Sequence, residues 1–194
     1  MKVGVLALQG DFREHRISLE KLGADVTEVR LPGHLDGLSG LILPGGESTA
    51  IGKLMVDYDL VEPIRNFAKD NAIWGTCAGA ILLAKDVGSS QPLLALMDIT
   101  IQRNAFGRQI DSFTVGLPVP FLEPSQPDYQ LTFIRGPIIT EVYGSAKPLM
   151  NLPDDRIIAA QQGRLLATSF HPELTEDLRF HRYFLELAQS SHAN

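Results

Sequence analysis

Along most of the chain, short apolar runs alternate with segments in which apolar and polar positions follow a helical period. A run that is apolar at every position is typical of a strand buried on both faces, and such strands belong to parallel sheets covered by helices. We therefore expect an α/β fold with a mostly parallel sheet and helices on both faces. Strands are predicted over residues 3–8, 25–29, 40–43, 73–74 and 165–170, and helices over 13–22, 49–57, 60–69, 78–85 and 175–188. Thr175, with Glu176 and Asp177, is expected to cap the last helix and supply an acidic first turn.

Residues 98–161 depart from this pattern. Their short segments, such as residues 112–117, alternate apolar and polar positions and are interrupted by prolines. Alternation is typical of strands with one solvated face, so we expect antiparallel additions here and an exposed Pro-rich loop over residues 118–128. No internal repeat or linker is evident, and 194 residues predict a single domain over residues 1–194 with a sizeable core.

Composition narrows the function class. The net charge of −6 and the lack of a Lys/Arg block argue against nucleic acid as a partner. One cysteine excludes an internal disulfide framework. The first apolar run is too short for a signal peptide, and no apolar segment approaches membrane-spanning length. We therefore expect a cytoplasmic protein with no membrane partner.

Cys77 lies in the sequence Gly-Thr-Cys-Ala-Gly, between a predicted strand and a predicted helix. A Gly-x-nucleophile-x-Gly turn at such a junction forces the central side chain out of the sheet at a sharp corner. Flanking glycines leave room for the turn, and the amides that begin the helix would favour a thiolate. The alternative is a structural cysteine, because free cysteines are often buried without a chemical role.

His171 and Glu173 follow the strand predicted over residues 165–170. In an extended segment, residues i and i+2 point the same way, so the carboxylate could orient the imidazole. A cysteine, a base and a base-orienting acid are the parts of an activated nucleophile. His171 could instead be a loop histidine without a role. That interpretation suits the other histidines better: His15 and His181 in helical patterns, His34 in a loop and His192 in the tail.

The loop at residues 44–49, Pro-Gly-Gly-Glu-Ser-Thr, follows the third predicted strand. Ligands of open α/β sheets bind beyond the carboxyl ends of the strands, and the two glycines would let backbone N–H groups approach a substrate oxygen in an oxyanion hole. A phosphate-binding loop is a competing interpretation, but neither Gly-Lys-Ser/Thr nor G-x-G-x-x-G is present. A third interpretation is an ordinary helix N-terminus capped by Ser48.

The turn around Cys77 and the distant His171-Pro172-Glu173 resemble the class I, triad-type glutamine amidotransferases. A more specific resemblance is to the glutaminase subunits of the two-component pyridoxal 5′-phosphate synthases. It spans nearly the whole chain with its motifs in the same order, and only residues 118–128 lack a family pattern. The motifs are VLALQGDFREH at residues 5–15, LPGGEST at 43–49, RNAFGRQ at 103–109 and SFHPELTED at 169–177.

This resemblance implies a flavodoxin-like three-layer sandwich that hydrolyses L-glutamine to L-glutamate and ammonia without a cofactor or metal. By position, Cys77 would be the nucleophile, His171 the base and acid, and Glu173 the orienting carboxylate. Ammonia would pass to a separate (βα)-barrel synthase subunit in a hetero-oligomer that makes vitamin B6. The matching glutamine-binding positions are Gly45, Gly46, Glu47, Arg103, Ile134 and Arg135, and for the oxyanion hole we choose the amides of Gly46 and Ala78.

Other functions fit the same chemistry. One alternative is the glutaminase subunit of another synthase, against which residues 8–10 and 103–109 argue. A cysteine hydrolase that needs no partner is a second, and a binding subunit without turnover is a third that the intact triad disfavours. Because ammonia released without an acceptor wastes glutamine, we expect the isolated chain to be slow. The predicted gate is a flip of the Gly45–Gly46 peptide, which glycines permit at little steric cost.

Overall fold

A computed structural model describes residues 1–103 and 112–190. Strands and helices alternate in the first part of the chain, as predicted, and most predicted bounds differ from the observed ones by one to three residues. This part comprises β1 (Lys2–Leu6), α1 (Phe12–Lys21), β2 (Asp25–Val29), β3 (Gly40–Leu43), α2 (Ser48–Asp57), α3 (Val61–Phe67), β4 (Ala72–Thr76) and α4 (Ala78–Leu83). It is followed by β5 (Ala84–Asp86), β6 (Met97–Gln102), β7 (Ser112–Leu117), β8 (Tyr129–Ile134), β9 (Ile138–Val142), β10 (Lys147–Asn151), β11 (Ile157–Gln162), β12 (Leu165–Thr168) and α5 (Arg179–Gln189).

The main sheet changes from parallel to antiparallel pairing across its width. Strands β2, β1, β3, β4 and β12 pair in parallel in that order. Strand β12 then pairs antiparallel with β11, which continues through β9 to β6 and β5. Gly75 of β4 is in register with Leu43 of β3 and Ala167 of β12. The chain segments that leave these three strands therefore emerge at one edge of the sheet.

Helices cover both faces of the parallel strands, which confirms the predicted α/β class. In β4, Ile73 packs with the core formed by α2, α3 and α4, whereas Trp74 packs with the core formed by α1 and α5. Successive residues of a strand point to opposite faces, so the continuous apolar run predicted for this strand serves two cores at once.

The antiparallel additions expected within residues 98–161 are present. Strands β6, β9, β10 and β11 pair antiparallel in the main sheet, and β7 and β8 form a separate two-stranded sheet. The loop over residues 118–128 is largely exposed, as predicted, but it buries the side chains of Val119 and Leu122.

Two predicted helices have different limits. The last helix begins at Arg179 rather than at Thr175, because two hydrogen bonds hold the preceding segment outside it. Thr175 Oγ1 donates locally to Pro172 O (3.0 Å), and Tyr129 Oη of β8 donates to Asp177 O (3.0 Å). Helix α4 ends at Leu83, and the residues predicted to continue it form β5. None of the helices in the described ranges combines the length and apolarity that crossing a membrane requires.

Candidate active site

Cys77 occupies a strained corner between β4 and α4. Its φ of +48° and ψ of −103° lie outside the usual regions for an L-residue, and its amide donates to Thr168 O at 2.8 Å. The flanking glycines are required by space: a Cβ at Gly75 would lie 2.4 Å from Gly79 C, and one at Gly79 would lie 1.9 Å from Leu43 O. The sharp turn predicted from the sequence is therefore present, and packing on both sides holds it.

His171 and Glu173 lie in contact after β12. The two side chains are buried, and His171 Nδ1 lies 2.7 Å from Glu173 Oε1. The backbone route differs from the extended one expected, because Pro172–Leu174 forms a 3-10 turn. The backbone of His171 is held as well, since its amide donates to Thr132 O of β8 at 2.8 Å.

Electrostatics favour a charged His171. Its burial lowers the pKa, but the interactions with Cys77 and Glu173 outweigh burial and raise the pKa of His171 to about 10. Burial also raises the pKa of Glu173, and the hydrogen bond and charge of His171 oppose that shift. The arrangement therefore suits an imidazolium at His171, in hydrogen-bond contact with Glu173 and next to Cys77.

Cys77 and His171 open onto one cavity of about 530 Å³. This size is ordinary for a small-molecule site. Eight of the residues predicted to act here line it together: Gly46, Glu47, Cys77, Ala78, Arg103, Ile134, Arg135 and His171. Its other lining residues are Gln9, Asp11, Ser48, Ile81 and Pro137.

The loop after β3 packs against the imidazole. A Cβ at Gly45 would lie 2.6 Å from His171 Cε1, and Gly45 O accepts a hydrogen bond from the Asp11 amide at 3.0 Å. Gly46 has a φ of +148°, a region that favours glycine, and lies among the cavity-lining residues. Gly45 is thus a contact of His171, while Gly46 is the glycine that faces the cavity.

Glu47, not Ser48, caps α2. The Glu47 carboxylate accepts from the amides of Thr49 (3.0 Å) and Ala50 (2.7 Å). It also pairs with Arg103 Nη2 at 3.2 Å, and Arg103 Nη1 donates to Gln91 Oε1 at 2.8 Å. Desolvation raises the pKa of Glu47, but the hydrogen bonds from Thr49 and Ala50, together with the charge of Arg103, outweigh it and lower the pKa. An ionised carboxylate is therefore presented at the rim of the cavity.

Arg135 differs from Arg103 in its surroundings. It is exposed, has a φ of +44°, and lies beside the half-exposed Ile134 at the end of β8. Its guanidinium makes no hydrogen bond or ion pair with residues 1–103 or 112–190. Arg135 therefore lines the cavity without an ion pair or hydrogen bond like those that Arg103 makes with Glu47 and Gln91. The rest of the motif predicted at residues 103–109 lies outside the described residues, as does His192.

Sequence reasoning missed three polar residues at the site. Asp11 Oδ2 lies 3.6 Å from His171 Nδ1, and burial raises the pKa of Asp11. His15 and His181, interpreted from the sequence as having no role, are fully buried behind Glu173. The signal was available in α1 and α5, because each histidine falls on the stripe that its helix buries, next to Leu19 or Phe180.

One group of described residues has metal-ligand spacing. The ligand atoms of Asp11, His171 and Glu173 lie within 4.8 Å of one another. The 2.7 Å separation of His171 and Glu173 is a hydrogen-bond distance with a proton between the two atoms. We therefore interpret these residues as an acid–base group.

Comparison with known proteins places the chain in a family. The SNO glutamine amidotransferase family matches residues 5–190. The "Pyridoxal 5'-phosphate synthase subunit PdxT" of Deinococcus radiodurans is 58% identical, over 97% of both chains. The protein of the same name from Moorella thermoacetica is 53% identical, over 96% of this chain and 99% of its own.

Solved structures show the same fold. A crystal structure described as a glutamine amidotransferase superposes with a TM-score of 0.90 at 48% identity, covering 97% of this chain and 99% of that one. The structure of PurLQS from Thermotoga maritima gives a TM-score of 0.65 at 16% identity, covering 95% of this chain and 97% of that one. At that identity, the second likeness concerns the fold alone.

Proposed function

The chain belongs to the SNO glutamine amidotransferase family, and we infer that it is the glutaminase subunit of a pyridoxal 5′-phosphate synthase. It hydrolyses L-glutamine to L-glutamate and ammonia and supplies the ammonia for synthesis of the vitamin B6 cofactor. The observation that carries this inference is the buried contact of His171 with Glu173 beside the cavity that Cys77 also lines. It accompanies near-full-length similarity to proteins of that name.

The reaction we propose is acyl transfer through a thioester. The Cys77 thiolate attacks the side-chain amide carbon of glutamine, and the C–N bond breaks as imidazolium His171 gives its proton to the leaving nitrogen. Neutral His171 then removes a proton from water, and the resulting hydroxide attacks the thioester carbon. The C–S bond breaks, glutamate leaves and the thiolate is restored. Glu173 keeps the imidazole oriented and stabilises its charge.

The negatively charged oxygen of the tetrahedral intermediate would form beside the turn at Cys77, where that turn borders the cavity. We assign the amides of Gly46 and Ala78 as its hydrogen-bond donors, because both residues line the cavity with Cys77. Removing one such donor typically costs about 10²–10³ in kcat. The position of the Gly46 amide depends on the Gly45–Gly46 peptide, whose carbonyl is bound by the Asp11 amide.

The α-groups of glutamine need fixed charges. Arg135, which has no ion pair among residues 1–103 and 112–190, is our choice for the α-carboxylate. The ionised Glu47 suits the α-ammonium, and Arg103 acts through Glu47 by holding its carboxylate. Ile134 and Gly45 complete the site, the first at the cavity wall and the second against His171.

The partner follows from the same family. As a subunit of a synthase, the chain works with a second subunit that consumes ammonia, and we propose that this partner is a (βα)-barrel in a hetero-oligomer. We place the assembly in the cytoplasm. A partner that accepts ammonia directly would protect it from loss to solvent.

The decisive experiment measures glutamate formation by the chain alone and with the synthase subunit, with Cys77→Ala as the blank. We expect slow turnover alone and faster turnover in the mixture, coupled to cofactor formation. Equal rates would indicate a cysteine hydrolase that needs no partner. Activation only by a different synthase would indicate the glutaminase subunit of that synthase. No turnover with or without a partner would indicate a binding subunit that lacks glutaminase activity.

A further inference from the structure

Two buried histidines stand directly behind the carboxylate that contacts His171. His15 of α1 and His181 of α5 are both fully buried. His15 Nε2 lies 3.3 Å from Glu173 Oε2, an ion-pair contact without hydrogen-bond geometry, and 3.1 Å from Thr76 Oγ1, with which it makes a hydrogen bond. His15 Nδ1 lies 3.0 Å from His181 Nε2. Neither histidine lines the cavity. Any effect on catalysis must therefore be indirect, through Glu173 or through Thr76, the neighbour of Cys77.

Both histidines are neutral in the folded protein near pH 7. Burial lowers the pKa of His181 to about 3. Burial, with the charges of His181 and His171, lowers the pKa of His15 well below its ordinary value. The indole of Trp74 packs edge-on against both rings, at 5.6 Å from His15 and 5.1 Å from His181. Each imidazole therefore carries one proton, and only one proton lies in the contact between them.

The surroundings decide where that proton lies. If His15 Nδ1 held it, the bare Nε2 of His15 would face the Glu173 carboxylate, and the proton of His181 would sit on Nδ1. That Nδ1 is buried and has no hydrogen-bond partner among the described residues. A proton on His181 Nε2 avoids a bare His15 nitrogen facing the carboxylate. It also avoids a buried His181 Nδ1–H without an acceptor, which would be costly. His15 then carries its own proton on Nε2, facing Glu173 Oε2.

We propose that His15 and His181 are positioning residues of the glutaminase reaction, in which His15 Nε2–H holds Glu173 ionised and aimed at His171 while His181 fixes the tautomer of His15. This inference rests on the proposed function. It extends the Cys77–His171–Glu173 site inward by two imidazoles, from the cavity to the interface of α1 and α5.

The charges around Glu173 show why a further donor matters. His171 is the cation that lowers its pKa, and Asp11, from the segment before α1, raises it. Tyr129 of β8 also faces Glu173, and burial raises the pKa of this phenol, so it stays neutral. With His15 replaced by an apolar side chain, only His171 and the backbone hydrogen bond at Glu173 would oppose desolvation of the carboxylate. Glu173 would then take up a proton at higher pH, and activity would be lost earlier on the acid side.

The test compares His15→Gln, which keeps a terminal N–H donor, with His15→Leu, which does not. In complex with the synthase subunit, we expect His15→Leu to lose about ten- to a hundredfold in kcat, the usual cost of removing a polar partner from a buried charged group, with KM nearly unchanged. The acid limb of its kcat/KM profile should move to higher pH, and His15→Gln should restore it. His34→Leu, at an exposed site, is the control. An unmoved acid limb in a folded His15→Leu variant would overturn the proposal.

Two readouts do not depend on glutamine turnover. Cys77 is the single cysteine, so its alkylation by a small neutral reagent reports the thiolate–imidazolium pair, and the acid limb of that rate should shift in the same variants. Imidazole ¹H–¹⁵N spectra of the unmodified chain should show His15 and His181 as neutral Nε2–H tautomers from pH 6 to 8. An Nδ1–H tautomer of His15 would refute the proposal even if every variant failed to fold. Failure of the proposed function would appear separately, as a parent chain without glutaminase activity.

Discussion

The parallel and antiparallel parts of the sheet contribute different kinds of residue to one cavity. The parallel part places Cys77, His171 and Glu173 after β4 and β12, and these residues are 8%, 4% and 6% exposed. The antiparallel part and its neighbouring segments place Arg103 and Arg135 after β6 and β8, where the first is partly exposed and the second is exposed. The residues proposed to react are thus buried, whereas the arginines proposed to recognise the charged groups of the substrate lie at the surface.

The contrast has a physical cause. A buried site strengthens electrostatic interactions between the reacting groups, but burying a charge requires partners on every side. Parallel strands with helices on both faces supply those partners, as α1 and α5 do for Glu173. Charged α-groups of a substrate arrive from water, so their binding residues can remain solvated. The comparison predicts that variants of the first set change kcat and those of the second change substrate capture.

Removing the nucleophile should have the largest effect. Cys77→Ala should abolish glutamine hydrolysis, because no other thiol exists in the chain. A glutamine-analogue electrophile should label the parent at Cys77 alone and should leave the variant unlabelled, as checked by peptide mass spectrometry. Turnover retained in the Ala variant would contradict the assignment, and its melting curve controls for folding.

The next effect in size separates the base from its orienting carboxylate. His171→Asn should be inactive, whereas Glu173→Gln should lose roughly 10⁴ in kcat, as an orienting residue does. Glu173→Gln should still be labelled at Cys77. Steady-state kinetics at saturating glutamine give the comparison. A Glu173→Gln variant as active as the parent would reduce the triad to Cys77 and His171.

Docking of the partner should have an effect of intermediate size. If the Gly45–Gly46 peptide turns its amide toward the oxyanion only in the complex, kcat should rise by about 10²–10³, which is the contribution of one donor. The flip must break the bond from the Asp11 amide to Gly45 O. Docking would need about 3–4 kcal/mol of differential affinity for the two states. Equal kcat values with and without the partner would remove the gate.

Recognition variants should show the smallest effect. Arg135→Ala should lower kcat/KM about ten- to a hundredfold, the value of a lost hydrogen bond to a charged group. Arg103→Ala should lower it less if Arg103 acts only by holding Glu47. Alkylation of Cys77 by a small neutral reagent should change little in either variant. Arg30→Ala, which does not line the cavity, is the control, and an unaltered kcat/KM in both test variants would make both arginines ordinary surface charges.

Local signals predicted the elements and much of the site. The bounds of β2 and β3 agree with the sequence prediction to the residue, because short apolar runs and their flanking turns determine them. The start of α5 was wrong, because a hydrogen bond from Tyr129, far away in the chain, holds Asp177 outside the helix. Cys77, His171, Glu173 and the glycine loop at residues 44–49 were predicted from local patterns, whereas Arg103, Ile134 and Arg135 were found only through resemblance. The pairing of His15 with His181, 166 positions apart, has no local signal beyond two buried stripes.

The buried histidines also determine how many protons accompany unfolding. Just below pH 6.5, His15 and His181 of the unfolded chain bind protons, whereas the same residues of the folded chain do not. Unfolding therefore takes up protons, and the stability of the folded chain falls as the pH falls. Above pH 6.5, the folded chain keeps a proton on His171 up to about pH 10, and unfolding releases it, so stability falls as the pH rises. The heat of unfolding should therefore depend on the ionisation enthalpy of the buffer with opposite signs on the two sides of neutrality.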